Sequence, residues 1–161
     1  KGLLTQWRTT PVAVDWNRDS LTDLVMLDHE GYLAFFERHR RTGNLELLPP
    51  QRVLCDAAGK SLQLNSGRAG KSGRRKLCVA DWDGDGKLDV LVNSANATWL
   101  RQTEARDGQY FFKDIGPVSQ RNIEGHDTSP TTVDWNNNRV PDLLIGAEDG
   151  YLYYLRNPRT K

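Results

Sequence analysis

The chain is short of net charge, of cysteine and of long apolar runs, and each shortage closes off a class of protein. With 22 Lys+Arg against 21 Asp+Glu, the formal charge is +1, which by itself points to no special partner. Mean hydropathy is −0.67 and no apolar run approaches the roughly 18 residues of a membrane span, so the chain reads as soluble. The opening Lys1-Gly2-Leu3 carries no signal peptide, as a processed chain also would not. Cys55 and Cys78 allow at most one intramolecular disulfide, and they read as two small hydrophobes, Cys78 within a strand Leu77–Ala80. No Cys-x-x-Cys pattern supports a zinc or redox site. Nowhere does a helical period stand out, and 161 residues fit one ordinary domain.

What is present is a repeat. The stretch Val79-Ala80-Asp81-Trp82-Asp83-Gly84-Asp85-Gly86-Lys87-Leu88-Asp89-Val90 puts carboxylates at positions 1, 3, 5 and 9 of a tight loop between apolar runs. It recurs from Asp15 (Asp15, Asn17, Asp19, Asp23) and from Asp134 (Asp134, Asn136, Asn138, Asp142), and the match runs ungapped to Gly31, Ala97 and Gly150. Each copy has an apolar run, the acidic loop, a second apolar run, a turn and an aromatic-rich third run such as Tyr151–Leu155. Short runs of Val, Leu, Tyr and Phe punctuated by Gly and Asp predict strands joined as hairpins, with fourth strands at 51–54 and 110–113. The expected fold is therefore all-β: propeller blades of four antiparallel strands, three repeats visible, within a larger, about seven-bladed propeller, because one sheet cannot bury both faces alone. The expected divisions are 5–56, 76–116 and 126–158 for the blades and 57–75 for a basic insertion loop. Trp16, Trp82 and Trp135 are expected to fill the space between blades.

Four acids this close repel one another unless a cation sits among them, and an oxygen-only donor set suits a hard ion such as Ca²⁺. The flanks are β-branched and position 12 is Val92, so this is not an EF-hand. The Asp-x-Asp-x-Asp-Gly-x-x-Asp loop between strands resembles that of the FG-GAP/VCBS repeat family, found in the integrin α-subunit propeller and in many secreted bacterial proteins. Asp-Trp-Asp-Gly-Asp-Gly, followed by a Gly-Tyr-Leu or Tyr-Tyr-Leu strand, is most similar to propellers of bacterial polysaccharide lyases. The resemblance implies up to three Ca²⁺ ions. The ligands would be Asp81, Asp83, Asp85, the Lys87 carbonyl and Asp89; Asp15, Asn17, Asp19, the Leu21 carbonyl and Asp23; and Asp134, Asn136, Asn138, the Val140 carbonyl and Asp142. Ligand charge falls from four to three to two across the middle, first and third loops, and affinity is expected to follow. Glycine at position 6, suited to positive φ, occurs only in the middle loop as Gly86. The third loop also reads as an Asn-rich turn capped by its own side chains.

Three bound Ca²⁺ would move the formal charge from +1 to +7, leaving a basic surface open to acidic polysaccharide. Strand direction places Arg8, His29, Lys71, Arg74, Arg75, Asn96 and His126 at the rim opposite the acidic loops. Gly70-Lys71-Ser72 is not a P-loop, since the required first glycine falls at Asn65 and no βα unit follows. The Lys71 to Lys76 segment instead offers Arg side chains for a uronate carboxylate or sulfate. The candidates for catalysis are His126, as proton-transfer group, and Arg74, as the neighbouring cation; Arg8, His29, Lys71, Arg75 and Asn96 are candidate substrate contacts. Nucleic acid is not expected as a partner, because the basic residues are not interleaved with exposed aromatics. The expectation is thus a secreted polysaccharide-processing protein, extracellular, periplasmic or at the cell surface, with lyase chemistry as the candidate activity and the remaining blades supplied by the parent chain or another chain. The alternative is a non-catalytic adhesion or scaffold propeller that recognises a protein.

Overall fold

Apolar runs on either side of each acidic loop pair with one another in a computed structural model that describes residues 4–66, 75–123 and 128–159. Thirteen strands and no helix are found among the described residues: β1 (Val12–Val14), β2 (Asp23–Leu27), β3 (Leu33–Phe36), β4 (Arg38–Arg41), β5 (Asn44–Leu47), β6 (Leu54–Asp56), β7 (Leu77–Ala80), β8 (Asp89–Asn93), β9 (Ala97–Arg106), β10 (Gln109–Pro117), β11 (Ser129–Val133), β12 (Asp142–Gly146) and β13 (Leu152–Leu155). The chain is all-β, with antiparallel sheets consistent with part of a β-propeller. It divides into two units, residues 1–75 with 104–112 and residues 76–103 with 113–161.

In the first unit β1, β2 and β3 form an antiparallel sheet, and both faces of β2 and β3 are largely buried. Met26, Ala34 and Phe36 make a cluster on one face, with Leu24 and Leu47 packed against it. Leu47 belongs to a β4–β5 hairpin that the repeat pattern does not announce; its turn is Thr42–Gly43, both at positive φ as the twist of a tight hairpin requires. The expected fourth strand of the first repeat begins later than its sequence suggests. Gln51 makes only an isolated bridge to Phe35, while Leu54–Asp56 pairs in parallel with Tyr110–Phe112. Part of the expected insertion loop is sheet edge: the Leu33 N–H donates to the Leu62 carbonyl and the Leu62 N–H to the Leu54 carbonyl. Gly31 holds φ 83° where a Cβ would stand 1.7 Å from the Asn65 carbonyl oxygen, so both conformation and space demand glycine there.

In the second unit β7–β8–β9 and β11–β12–β13 are the corresponding sheets. Their apolar faces meet in one cluster, in which Cys78, Trp82, Leu91 and Ala97 of one repeat join Leu143 and Ile145 of the next, with Trp99, Tyr153 and Leu155 packed against them. The tryptophans divide here. Trp16 and Trp82 are buried at 4% and 5% exposure, but Trp135 is 60% exposed, contrary to its expected core role, because no following sheet covers it among the described residues.

The ungapped match between repeats fails by two residues in the middle copy. Leu24 faces Phe36 and Leu143 faces Leu155, twelve positions on in each case, but Val90 faces Leu100, ten positions on. The outer hairpins turn through five residues with Gly31 or Gly150 at positive φ; the middle one turns through Ser94–Asn96 with no glycine. Ala97 is therefore a buried strand residue, the counterpart of Leu33 and Leu152 rather than of the turn glycines.

Candidate functional site: three acidic loops

Each loop leaves its first strand at an equivalent point. The pairs Val14↔Asp23, Ala80↔Asp89 and Val133↔Asp142 close the three loops, so the position-9 acid is always the first residue of the second strand. Inside, the side chains tie down the loop's own backbone. Asp15 accepts the N–H groups of Asp19 and Ser20, Asp134 those of Asn138 and Arg139, and Asp81 those of Gly84 and Gly86. Position 3 accepts the N–H of position 5, and position 5 that of position 7, in every copy. This chain of side-chain turns is what Asp and Asn do well. It forces two residues per loop into positive φ: Arg18 and Ser20, Gly84 and Gly86, Asn137 and Arg139. Only the middle loop has glycine at both.

The position-9 acids have a second task. Asp23, Asp89 and Asp142 are fully buried, and each accepts a backbone N–H: from Arg38 at 2.8 Å and Asn157 at 2.9 Å, each just past the third strand, and from Gln102 at 2.8 Å, within the longer β9. Asp23 also accepts the Trp16 N–H at 3.1 Å. In the third loop the other oxygen of Asp142 is already filled by the Asn136 amide at 3.2 Å and the Tyr154 hydroxyl at 2.9 Å. In the middle loop Trp99 takes the place of Tyr154, and its indole approaches without reaching hydrogen-bond geometry: Asp89 Oδ2 and Trp99 Nε1 are both buried with no partner. Burial pushes the Asp89 carboxyl above its usual range, with the Gln102 N–H and, more weakly, the nearby Trp99 indole pulling against it.

Asp81, Asp83 and Asp85 each offer an oxygen, all within 4.8 Å of one another, and form a group able to hold a metal ion. Calcium–oxygen distances of about 2.3–2.6 Å place ligands across a shell of about that diameter. The oxygen-only donors and the orphaned Asp89 Oδ2 fit a hard divalent cation. Two of the chain's own cations also touch this loop. Arg101 Nε pairs with Asp83 Oδ2, its terminal nitrogen lies 3.4 Å from Asp85 Oδ2, and Lys87 Nζ pairs with Asp85. Burial works to raise the Asp85 carboxyl, but the hydrogen bonds from Lys87 and the charge of Arg101 outweigh it and hold it below the usual carboxylate range. The Arg101 guanidinium is correspondingly raised, chiefly by Asp83.

The residues expected to contact substrate scatter. In the first unit Arg8 is exposed at φ 61° with its guanidinium 4.3 Å over the exposed Trp7 ring, and the Thr5↔Asp28 bridge lays this segment beside the turn bearing half-buried His29. Arg75 is exposed and donates to the Leu64 carbonyl. Asn96 is a correction: it is 2% exposed, its amide is committed to the Ser119 and Arg121 carbonyls and its oxygen to the Ala97 N–H, so it braces the short middle hairpin rather than meeting a ligand. Lys71, Arg74 and His126 lie outside the described residues. In the second unit a shallow cleft of about 360 Å³ opens between Lys76, Ser129, Gly146, Ala147 and Glu148, at the sheet ends away from the loops. Sequence reasoning missed Arg101 and its counterparts; they align across repeats only after the two-residue gap is placed.

The FG-GAP-like repeat model matches residues 15–92 and again 81–145, so that the matched region spans most of the chain. The chain belongs to the FG-GAP-like repeat family. Each FG-GAP-like match starts at the first Asp of a loop, Asp15 or Asp81, and takes in the loop that follows. No curated protein matches the chain. Among the described residues no helix is long and apolar enough to cross a membrane.

Proposed function

We propose that this chain is a calcium-stabilised segment of a β-propeller from a secreted, polysaccharide-processing protein, and that it binds acidic glycan at the sheet ends away from the acidic loops. The observation that carries this is the separation of roles within each sheet. The loops spend their carboxylates on their own backbone, and Asp81, Asp83 and Asp85 form a group able to hold a cation, whereas the opposite ends present Arg8 stacked on exposed Trp7 and, in the second unit, the cleft beside Lys76. Calcium is assigned to the Asp81–Asp89 loop with Lys87 contributing its carbonyl, and to the Asp15–Asp23 and Asp134–Asp142 loops with the Leu21 and Val140 carbonyls. Extracellular modules bind calcium at about 10⁻⁴–10⁻³ M, which suits an extracellular, periplasmic or cell-surface setting. The test is binding of a soluble polyuronate against a neutral glycan of equal length, in calcium. Salt-sensitive binding of the polyuronate alone is expected; equal or absent binding at low ionic strength overturns the reading. If the parent protein is a lyase, Arg74→Ala and His126→Ala abolish formation of unsaturated product.

A second reading, recognition of a protein sheet, is favoured by the exposed face of the third repeat, where Trp135 is 60%, Leu152 65% and Tyr154 39% exposed. The matching face of the middle repeat, with Trp82, packs on Leu143 and Ile145, and the Asn157 amide donates to the Trp82 carbonyl at 2.9 Å. Another blade of this type, from the parent chain or another chain, would cover Trp135 likewise. Fusing a further copy of residues 118–159 to the chain should shift Trp135 emission to the blue; unchanged emission speaks against it.

A further inference from the structure

One position per repeat lies beside each acidic loop, and its charge differs between the repeats. Glu37, Arg101 and Arg156 each immediately precede the residue whose N–H bonds the position-9 acid. In the first loop, which has Asn at position 3, Glu37 Oε1 accepts from Asn17 Nδ2 at 3.2 Å. In the middle loop, which has Asp at position 3, Arg101 bridges Asp83 and Asp85. In the third, Arg156 lines one hollow with Asn136, Asn138 and Tyr154. Glu37 Oε1 also lies 3.0 Å from His39 Nε2, and among the described residues the acids of the first loop do not converge as Asp81, Asp83 and Asp85 do. The middle loop commands four carboxylates, with Arg101 and Lys87 already paired to them. Two of the oxygens that would face a cation, Asp83 Oδ2 and Asp85 Oδ2, are the ones that hold Arg101.

We propose that Arg101 is a built-in counter-ion that occupies the middle loop and must withdraw before a divalent cation binds there. The middle loop then binds its cation less tightly than its four carboxylates alone imply. Arg101 makes the middle loop tolerant of losing its metal, because its guanidinium relieves the repulsion of the clustered acids. The two arrangements exclude each other, since a carboxylate oxygen hydrogen-bonded to a guanidinium is a poorer ligand. This rests on the reading of the loops as calcium sites.

The test is calorimetric titration of calcium into the chelator-treated full chain, with and without Arg101→Gln, both as wild type and with Asp15→Ala and Asp134→Ala together, with melting temperature in chelator as a second readout. The doubly silenced background shows the middle site alone. Removing an exposed counter-ion is worth up to about a five-fold change in affinity. Arg101→Gln should tighten the middle site by about that factor and lower the melting temperature in chelator. Calcium binding of equal strength in wild type and Arg101→Gln, with melting temperatures unchanged in chelator, overturns the proposal alone. Absence of calcium binding in every variant overturns the metal reading beneath it.

Discussion

The middle and third repeats share one loop pattern and differ in everything that supports it. In the middle repeat positive φ falls on Gly84 and Gly86, the carboxylates number four, and Trp82 is buried beneath the next sheet. In the third, positive φ falls on Asn137 and Arg139, Asn replaces two acids, Asp142 is satisfied by Asn136 and Tyr154, and Trp135 stands in solvent. The hydrogen bonds inside the loop are nonetheless nearly the same, differing in that the position-1 acid holds the N–H of position 4 in the middle loop and of position 5 in the third. The loop's shape is therefore a property of Asp and Asn side chains at alternate positions, and the capacity to hold a metal and the packing of the core are laid over it separately.

Substitution of the two tryptophans should show the largest contrast. Trp82→Ala should cost about 3–5 kcal/mol in chemical denaturation, as for a buried aromatic in a packed cluster. Trp135→Ala should lie within about 0.5 kcal/mol of wild type, as at an ordinary surface position. A large loss at Trp135 would mean that this face is covered in solution. Next come the position-9 acids. Asp142→Ala leaves the buried Asn157 N–H without an acceptor and should destabilise by about 1–3 kcal/mol. Asp142→Asn should recover part of that loss, since the amide oxygen still accepts.

The strained positions give smaller, opposed effects. Gly86→Ala forces a Cβ onto φ 85° and should cost about 1 kcal/mol, although nothing lies within 4 Å to clash. Arg139→Gly at φ 64° should raise stability by a few tenths to about 1 kcal/mol, giving the third loop the freedom the middle one already has. Equal effects of opposite sign would show that the two loops share one backbone. The smallest change is chemical: burial pushes the Cys78 thiol up to about 12 and raises Cys55 as well, and both are free. Thiolate is therefore scarce near pH 8, and alkylation there should be slow until the chain is unfolded, rising as pH approaches the raised pKa.

Much of this was open to reading from residues. The Asp81–Asp89 spacing and its two recurrences predict the loops, the flanking strands and the all-β class, because side-chain turns and alternating apolar runs are local. The two-residue deletion in the middle hairpin was not legible. Ala97 follows Asp81 by the same sixteen positions that separate Gly31 from Asp15, and only the pairing of Leu91 with Trp99 reveals the shift. Since Glu37, Arg101 and Arg156 align only after that shift, the charge placed opposite each loop was hidden with it. The exposure of Trp135 was equally hidden, because the residue type is the same in three copies and what differs is the sheet that follows. The Asn96 case shows the same limit: a polar residue in a turn looks available until the carbonyls of Ser119 and Arg121 are seen to claim its amide.

The comparison turns on whether a cation stabilises these loops beyond what their own hydrogen bonds provide. Scanning calorimetry of wild type and Asp81→Ala, each in excess calcium and in chelator, measures this directly, because a ligand bound only to the native state raises stability by RT ln(1 + [L]/Kd), about 2.7 kcal/mol at a hundred-fold excess over Kd. The account predicts a melting temperature that rises with calcium in the wild type and rises less in Asp81→Ala. A wild-type melting temperature that is the same in calcium and in chelator would contradict it.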